Sequence, residues 1–153
     1  MYQKTVNSPL GNLNIITDEE VLLKIVFEED NGNWTNDFHP LLVKAERQLN
    51  EYFSGKRKTF DLPIAYEGTI FQKEVWTALK DIPYGTTLSY QELAGNIKRV
   101  RAVRAVGQAN RRNPLPIIIP CHRVVGKNGS MTGYAGSQTD KKEILLNLEK
   151  QFM

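Results

Sequence analysis

The segment Asn113-Pro-Leu-Pro-Ile-Ile-Ile-Pro-Cys121-His-Arg-Val-Val125 contains the only cysteine of the 153-residue chain. Its apolar run, 117–119, predicts a buried strand, and the surrounding prolines restrict the backbone on both sides of it. The strand would present the thiol of Cys121 beside the imidazole of His122. A cysteine reacts as its thiolate, which a nearby base or positive charge favours. A lone cysteine is commonly a small buried hydrophobe, but this setting favours a nucleophile.

Basic residues are concentrated around this segment. From Leu93 through Thr139 the chain has no Asp or Glu. The same stretch carries eight basic residues: Lys98, Arg99, Arg101, Arg104, Arg111, Arg112, Arg123 and Lys127. The whole chain has a net charge of only +3, so the remainder is acidic. A basic block can be a solvated surface, but its complete lack of acid favours a polyanionic partner, with nucleic acid as the candidate.

The composition sets limits on the class of protein. One cysteine allows neither an internal disulfide nor a four-thiolate zinc site, so we expect no metal, no cofactor and a reducing compartment. The N-terminus lacks an apolar signal core, and no stretch approaches the about 18 apolar residues of a membrane span. We therefore expect a soluble, cytoplasmic protein that contacts no membrane. We also expect it to be a monomer.

The first part of the chain, 1–68, predicts a small α+β domain. Two strands are predicted at 10–17 and 21–27, followed by a polar loop over 28–37 and a helix from Pro40 to Gly55. The connector after it, 56–68, could include a short strand at 59–62. His39 precedes the proline at the helix start, so we interpret it as structural. An antiparallel sheet with one helix is the expected fold.

The second part, 69–153, predicts a mostly helical domain. Ser89 and Glu92 have the spacing of a capping box, which opens a short helix ending near Asn96. A second helix is predicted over about 100–112, with a polar, cationic stripe on one face formed by Arg101, Arg104, Gln108 and Arg111. Two short helices with a tight junction describe a helix-turn-helix, although many such pairs are only packing units.

The C-terminal end adds two features to this domain. A glycine-dense loop over 126–136 could wrap a small planar group against Tyr134. A last helix is predicted from Asp140, and Glu149 lies one turn beyond the inward-facing Leu145. Glu149 is either a solvated residue beside the buried face or a carboxylate that orients an imidazole.

Five segments together resemble the methylated-DNA–protein-cysteine methyltransferases, also called 6-O-alkylguanine-DNA alkyltransferases. They are Ile-Pro-Tyr-Gly85, Ser89-Tyr-Gln-Glu-Leu-Ala, Arg101-Ala-Val-Arg-Ala-Val-Gly-Gln-Ala-Asn, Asn113 through Val125, and Gly133-Tyr-Ala-Gly. The resemblance is strong over 69–150 and looser before it. It implies irreversible transfer of an alkyl group from 6-O-alkylguanine, and from 4-O-methylthymine, in double-stranded DNA to Cys121. The damaged base would first be flipped out of the duplex, and each molecule would act once.

The resemblance also implies roles for the residues around the thiol. Cys121 would be the nucleophile, His122 would accept its proton through a bridging water, and Glu149 would hold the imidazole. Asn113 would bracket the segments around the site, and Tyr90 would act beside the flipped nucleotide. The base pocket would be formed by Pro116, Val124, Tyr134 and Ala135, where Ala135 replaces a serine found in several relatives.

The family places the second helix of the pair in the minor groove. By resemblance Arg104 is the finger that fills the space left by the flipped base, while Tyr90 crowds the adjacent phosphate and can donate a proton to the base. The predicted DNA contacts are Tyr90, Gln91, Arg101, Ala102, Arg104, Ala105, Gln108, Arg111 and Lys127. Contacts of this kind are mostly to the backbone and give little sequence preference.

Three other functions share some of these features. A non-catalytic helix-turn-helix protein that binds alkylated DNA would use the same scaffold, but such relatives replace the cysteine, commonly with tryptophan. A transcription factor with an incidental thiol would bind a specific sequence and accept no alkyl group. A thiol hydrolase with Cys121, His122 and Glu149 would turn over an ester or amide.

Overall fold

The computed structural model describes residues 1–27, 34–126 and 139–153. These residues form two compact units, Met1–Tyr66 and Glu67–Met153. Part of the predicted polar loop, 28–33, lies outside the described residues. The same holds for 127–138, which includes most of the glycine-dense loop and the predicted site residues Lys127, Tyr134 and Ala135.

The first unit contains a three-stranded antiparallel sheet. The strands are β1 (Tyr2–Ser8), β2 (Gly11–Thr17) and β3 (Leu22–Val26), in the order β1-β2-β3. The sequence does not predict β1, because its polar residues hide the alternation and only Val6 is fully buried. The β1–β2 hairpin is tight, with Ser8 opposite Gly11, whose φ of 93° suits glycine. The α+β class is confirmed.

Helix α1 (Pro40–Phe53) packs on this sheet. Its buried face consists of residues at helical spacing, among them Leu42, Ala45, Leu49 and Tyr52. His39 is the N-cap, and its Nδ1 accepts a hydrogen bond of 3.1 Å from the backbone N–H of Leu41, which confirms the structural interpretation. No strand forms at 59–62. Leu22 instead makes an isolated bridge with Ile64.

The second unit is mostly helical, as predicted. Its elements are α2 (Ile70–Lys80), β4 (Leu88–Ser89), α3 (Tyr90–Asn96), α4 (Val103–Arg111), a 3₁₀ turn (Cys121–Arg123), β5 (Val124–Val125) and α5 (Thr139–Gln151). Helices α3 and α4 form the helix-turn-helix. The parallel pair β4–β5 was not predicted, because two-residue strands carry no periodicity. This pair brings the start of α3 next to the end of the 3₁₀ turn.

The junction between α3 and α4 is longer than the sequence predicts. Lys98 has a φ of 59°, and the N–H of Arg99 bonds back to the carbonyl oxygen of Ala94 at 2.8 Å. These are the features of a Schellman ending, which stops α3 and turns the chain. Helix α4 therefore begins at Val103, three residues later than expected.

The predicted strand at 117–119 is wrong. The chain forms a compact turn there, in which the N–H of Ile119 bonds to the carbonyl oxygen of Leu115 at 2.9 Å and Ile117 has a φ of 78°. Ile117 and Ile119 are buried as expected. An apolar run indicates burial, but it cannot distinguish a strand from a turn that the prolines shape.

Helix α3 begins with the predicted capping box. The hydroxyl of Ser89 accepts from the N–H of Glu92, and the carboxylate of Glu92 accepts from the N–H of Ser89, both at 3.0 Å. Two backbone donors that lack helical partners are thereby satisfied.

Replacing Ser89 with alanine should lower the free energy of unfolding by about 1 kcal/mol, because the cap to α3 is lost. Urea unfolding followed by circular dichroism measures this change. Ser89→Asn is the matched control, since asparagine is an equally good N-cap. Equal stability of the alanine and asparagine variants would contradict the role of the hydroxyl.

Candidate functional site

The cysteine lies in a buried 3₁₀ turn. Cys121 is 2% exposed, His122 is 0% exposed and Arg123 is 7% exposed. The sequence predicts an extended backbone here, in which neighbouring side chains point to opposite sides. A 3₁₀ turn instead separates successive side chains by about 120°. Among the described residues, Cys121 has almost no exposed surface.

The thiol of Cys121 is protonated in this environment. Burial raises its pKa to about 11, although a hydrogen bond with Asn113 and the charge of Lys142 act to lower it. The surrounding basic residues therefore do not produce a thiolate in the resting protein. A base is needed to remove the proton before the sulfur can react.

Asn113 closes the loop that leads to the turn. Its Nδ2 donates to the carbonyl oxygen of Ile119 at 2.7 Å, and its Oδ1 accepts from the N–H of Leu115 at 3.0 Å. Asn110, on α4, donates from Nδ2 to the carbonyl oxygen of Cys121 at 3.4 Å. Two asparagine side chains thus fix the backbone around the cysteine and join it to the end of α4.

His122 contacts a carboxylate through one ring nitrogen. Its Nε2 lies 2.6 Å from Oε2 of Glu149, which is 1% exposed. Of the two interpretations of Glu149, the solvated one is therefore wrong. Within the described ranges Nδ1 of His122 has no hydrogen-bond partner. An ionised Glu149 requires the proton on Nε2, so Nδ1 carries a free lone pair.

The carboxylate of Glu149 accepts hydrogen bonds from Arg123, Gly85 and His122. Arg123 donates from Nε to Oε1 and from Nη2 to Oε2, both at 2.9 Å, and the N–H of Gly85 donates to Oε1 at 3.2 Å; His122 completes the set. Burial alone would raise the pKa of Glu149, but the hydrogen bonds and charges of His122 and Arg123 hold it well below its usual range. The carboxylate is ionised at neutral pH.

The imidazole of His122 is neutral. Burial lowers its pKa below the ordinary 6.5, and the charges of Arg123 and Lys142 lower it further, while the hydrogen bond and charge of Glu149 raise it. The balance favours the unprotonated ring. A neutral imidazole can accept a proton at Nδ1.

Lys142 is a site residue that the sequence analysis missed. It lies on α5 and is fully buried, with its Nζ 3.5 Å from the hydroxyl oxygen of Tyr90 and 5.6 Å from the centre of that ring. Burial lowers the pKa of Lys142 to about 8, against an opposing effect of Cys121. Its spacing of three residues before Leu145 and seven before Glu149 places it on the same helix face, which is the signal that could have revealed it.

The cationic stripe lies on the exposed face of α4. Arg104, Ala105, Gln108 and Arg111 are exposed on the helix, while Arg101 and the half-buried Ala102 precede it. The opposite face buries Val106, Ala109 and Asn110. On α3, Gln91 is exposed and Tyr90 is half-buried. These predicted DNA contacts therefore occur on one helix pair.

Two cations of the basic block are paired instead of free. Arg99 bonds to Glu74, with Nη2 3.1 Å from Oε1. Arg123 is buried against Glu149 and cannot contribute to a DNA-binding surface. The local positive charge that faces solvent is smaller than the sequence suggests.

The predicted base pocket is only partly described. Pro116 and Val124 are both buried, and both are near Cys121 in the sequence. The other two predicted residues lie in 127–138. Over the described ranges, no group of three or more His, Cys, Asp or Glu residues is arranged to hold a metal ion. Those ranges also contain no helix with the length and apolar character needed to cross a membrane.

Comparison with known families matches both units. Residues 1–66 match the ribonuclease-like domain of 6-O-methylguanine DNA methyltransferase, and residues 70–151 match its DNA-binding domain. The chain belongs to the 6-O-methylguanine DNA methyltransferase family.

Individual members of this family are similar along almost the whole chain. The constitutive methylated-DNA–protein-cysteine methyltransferase of Bacillus subtilis is 49% identical, over 97% of this chain and 95% of that protein. The Methanosarcina acetivorans protein with the same general name is 48% identical, over 97% and 98%. The crystal structure of Mycobacterium tuberculosis OGT in complex with DNA superposes with a TM-score of 0.91 at 43% identity, covering 99% of this chain and 94% of that one.

Replacing Lys142 with methionine should raise the free energy of unfolding at pH 7 by about 2 kcal/mol, because a buried ammonium is removed. The folded protein holds the Lys142 proton less tightly than the unfolded chain, whose lysine titrates near 10.5. The free energy of unfolding of the wild type therefore increases between about pH 8 and pH 10.5, as Lys142 loses its proton in the folded protein.

Urea unfolding at several pH values measures the difference between the two proteins. The difference in free energy of unfolding between Lys142→Met and the wild type should become smaller as the pH rises from about 8 to about 10.5. Lys141→Met, at the half-buried neighbouring position, is the matched control. A constant gap at all pH values would mean that Lys142 is not buried as a cation.

Proposed function

We propose that this protein repairs DNA by transferring the methyl group of 6-O-methylguanine to Cys121. The activity is that of a methylated-DNA–protein-cysteine S-methyltransferase, as in the similar proteins named above. The observation that carries the proposal is the buried series Cys121, His122 and Glu149, which lies in the same unit as the exposed cationic face of α4. This unit combines a nucleophile and its base with a surface suited to a polyanion.

The proposed reaction is a displacement at the methyl carbon. His122 accepts the thiol proton at Nδ1, through a bridging water, while Glu149 stabilises the imidazolium that forms. The sulfur of Cys121 attacks the methyl carbon in line with the carbon–oxygen bond, and the bonding electrons leave on the 6-oxygen of the purine. The purine anion takes up a proton, for which the hydroxyl of Tyr90 is the proposed donor. The products are guanine, S-methylcysteine, the imidazolium of His122 and the phenolate of Tyr90, to which the proton on His122 can return through solvent.

The transfer uses up the protein. The product thioether lacks a good leaving group, because its displacement would require expulsion of a cysteine thiolate from carbon. After the transfer, His122 holds the proton taken from the thiol and Glu149 stabilises the resulting imidazolium, so neither is free to activate a water molecule. Each molecule therefore accepts one alkyl group, and DNA repair is stoichiometric with protein.

We propose that the damaged base is flipped out of the duplex before it reaches Cys121. Extrusion of a nucleotide costs a few kcal/mol and less for a damaged pair. We propose that Arg104, exposed near the start of α4, enters the stack in place of the flipped base, while Tyr90 crowds the adjacent phosphate. The small side chains of Ala102 and Ala105 would allow the helix backbone to come close to the minor groove. The protein would act on 4-O-methylthymine by the same route, as a monomer.

Intact-mass measurement after incubation with duplex DNA containing one 6-O-methylguanine tests this function. The protein should gain one methyl group, mapped by peptide sequencing to Cys121, and should be saturated by an equimolar amount of lesion. Cys121→Ser is the matched variant, and it should bind the same DNA without gaining mass. Turnover beyond one equivalent would indicate a hydrolase-like reaction. Tight binding with unchanged mass would indicate a non-catalytic lesion binder.

Replacing Arg104 with alanine should slow transfer from duplex DNA by about tenfold or more, since even part of the flipping cost corresponds to that factor. Transfer from the free base 6-O-benzylguanine should change little, because no stack has to be opened. Single-turnover mass measurements give both rates. Arg47→Ala removes an exposed arginine from α1 and controls for net charge. An equal loss on both substrates would contradict the role of Arg104 as a finger.

A further inference from the structure

Arg123 is held by three hydrogen bonds next to the reacting pair. Its Nε and Nη2 each lie 2.9 Å from an oxygen of Glu149, and its Nη1 lies 2.7 Å from the carbonyl oxygen of Ile82. A guanidinium that binds both carboxylate oxygens fixes the plane of the carboxylate. Ile82 follows α2 and Glu149 belongs to α5, so Arg123 joins two other parts of the unit to the 3₁₀ turn.

The orientation of Glu149 determines how His122 is held. Oxygen Oε2 is shared between Nη2 of Arg123 and Nε2 of His122, at 2.9 Å and 2.6 Å. If the carboxylate rotated, this oxygen would leave the line of Nε2. The fork of Arg123 therefore sets the direction of the bond that keeps the His122 proton on Nε2 and leaves Nδ1 as the acceptor.

The charge of Arg123 is as important as its shape. Glu149 and Arg123 together are neutral, and both are buried. Without the arginine, the carboxylate would face the imidazole alone in a site with almost no solvent. A buried pair of that kind takes up a proton, because the pair is then neutral overall. An imidazole that already holds this proton cannot accept another from the thiol.

We propose that Arg123 is a positioning residue for the methyl transfer: its fork aims Glu149 at His122, and its charge keeps the imidazole neutral until Cys121 delivers its proton. Arg123 acts through Glu149, to which it is bonded. This inference rests on the proposed function, since it assigns a role within that reaction.

The other groups around His122 do not replace this effect. Lys142 on α5 contributes a second positive charge, and its ammonium lies 3.5 Å from the hydroxyl oxygen of Tyr90. Cys121 is a neutral thiol, and burial raises the pKa of Tyr84, which therefore stays neutral near pH 7. Arg123 is bonded to both oxygens of Glu149 and adjoins His122 in the turn.

Nuclear magnetic resonance of histidine-labelled protein tests the proposal without DNA. The chain has two histidines, so two imidazoles give signals, and His39 in the first unit serves as an internal reference. In the wild type, His122 should show a proton on Nε2 and should not titrate near the ordinary 6.5. In Arg123→Met, His122 should take up a proton at a higher pH than in the wild type, while the spectrum of His39 is the same in both proteins. If His122 in Arg123→Met has the same tautomer and the same titration as in the wild type, the proposal is overturned.

Two further variants cover the case in which Arg123→Met unfolds. Arg123→Gln keeps a polar side chain near Glu149 without the charge, and it should show the same protonation of His122. The double variant Arg123→Met/Glu149→Gln removes both charges, so His122 should be neutral again. Protonated His122 in the double variant would show that the carboxylate is not the cause, and would overturn the proposal. Arg112→Met, at an exposed position, is the control for general charge.

The dependence of methyl transfer on pH separates positioning from stability. The ratio of the single-turnover rate at pH 6 to the rate at pH 8 should be about tenfold lower in Arg123→Gln than in the wild type. Arg123→Lys retains the charge and should recover the wild-type ratio while remaining slower at every pH, because the fork is lost. An equal loss at all pH values in Arg123→Gln would mean a structural role. If the wild type transfers no methyl group while His122 responds as predicted, the proposed function fails and the electrostatic effect of Arg123 stands.

Discussion

The buried carboxylate of Glu149 is the interaction on which the rest of the site depends. It accepts hydrogen bonds from His122, Arg123 and the backbone of Gly85, so it ties α5 to the 3₁₀ turn and to the segment after α2. An isolated carboxylate could not remain charged in such a place. Its partners make ionisation favourable, and ionisation in turn determines which nitrogen of His122 is protonated. Geometry and protonation state therefore have one origin.

Helix α4 connects this chemistry to the surface. Its exposed side carries the arginines, and its buried side carries Asn110, which bonds to the backbone of Cys121, and Ala109, whose carbonyl oxygen accepts from the indole of Trp76 at 2.8 Å. The helix that would lie against DNA is therefore held to the cysteine-bearing turn and to α2. With the duplex placed on α4 as proposed, this arrangement would keep a fixed distance between the DNA and the sulfur.

The sequence predicts the features that depend on neighbours along the chain. The capping box of Ser89, the structural role of His39 and the two faces of α4 follow from local spacing and were confirmed. Features set by distant contacts were not predictable. The burial of Glu149 and Arg123 depends on how α5 packs, and the family resemblance, not the local pattern, favoured a contact between Glu149 and His122. Lys142 looks like a surface lysine until its partners in the fold are known.

The turn before the cysteine shows how backbone and side chain can favour different residues. Ile117 has a φ of 78°, a region that β-branched residues rarely occupy and that glycine occupies freely. Its side chain is 1% exposed, so glycine would relieve the backbone but leave a cavity in the core. Automated sequence design that scores backbone angles alone would choose glycine here and weaken the packing behind the nucleophile. Redesign of this scaffold should therefore keep a large aliphatic residue at position 117.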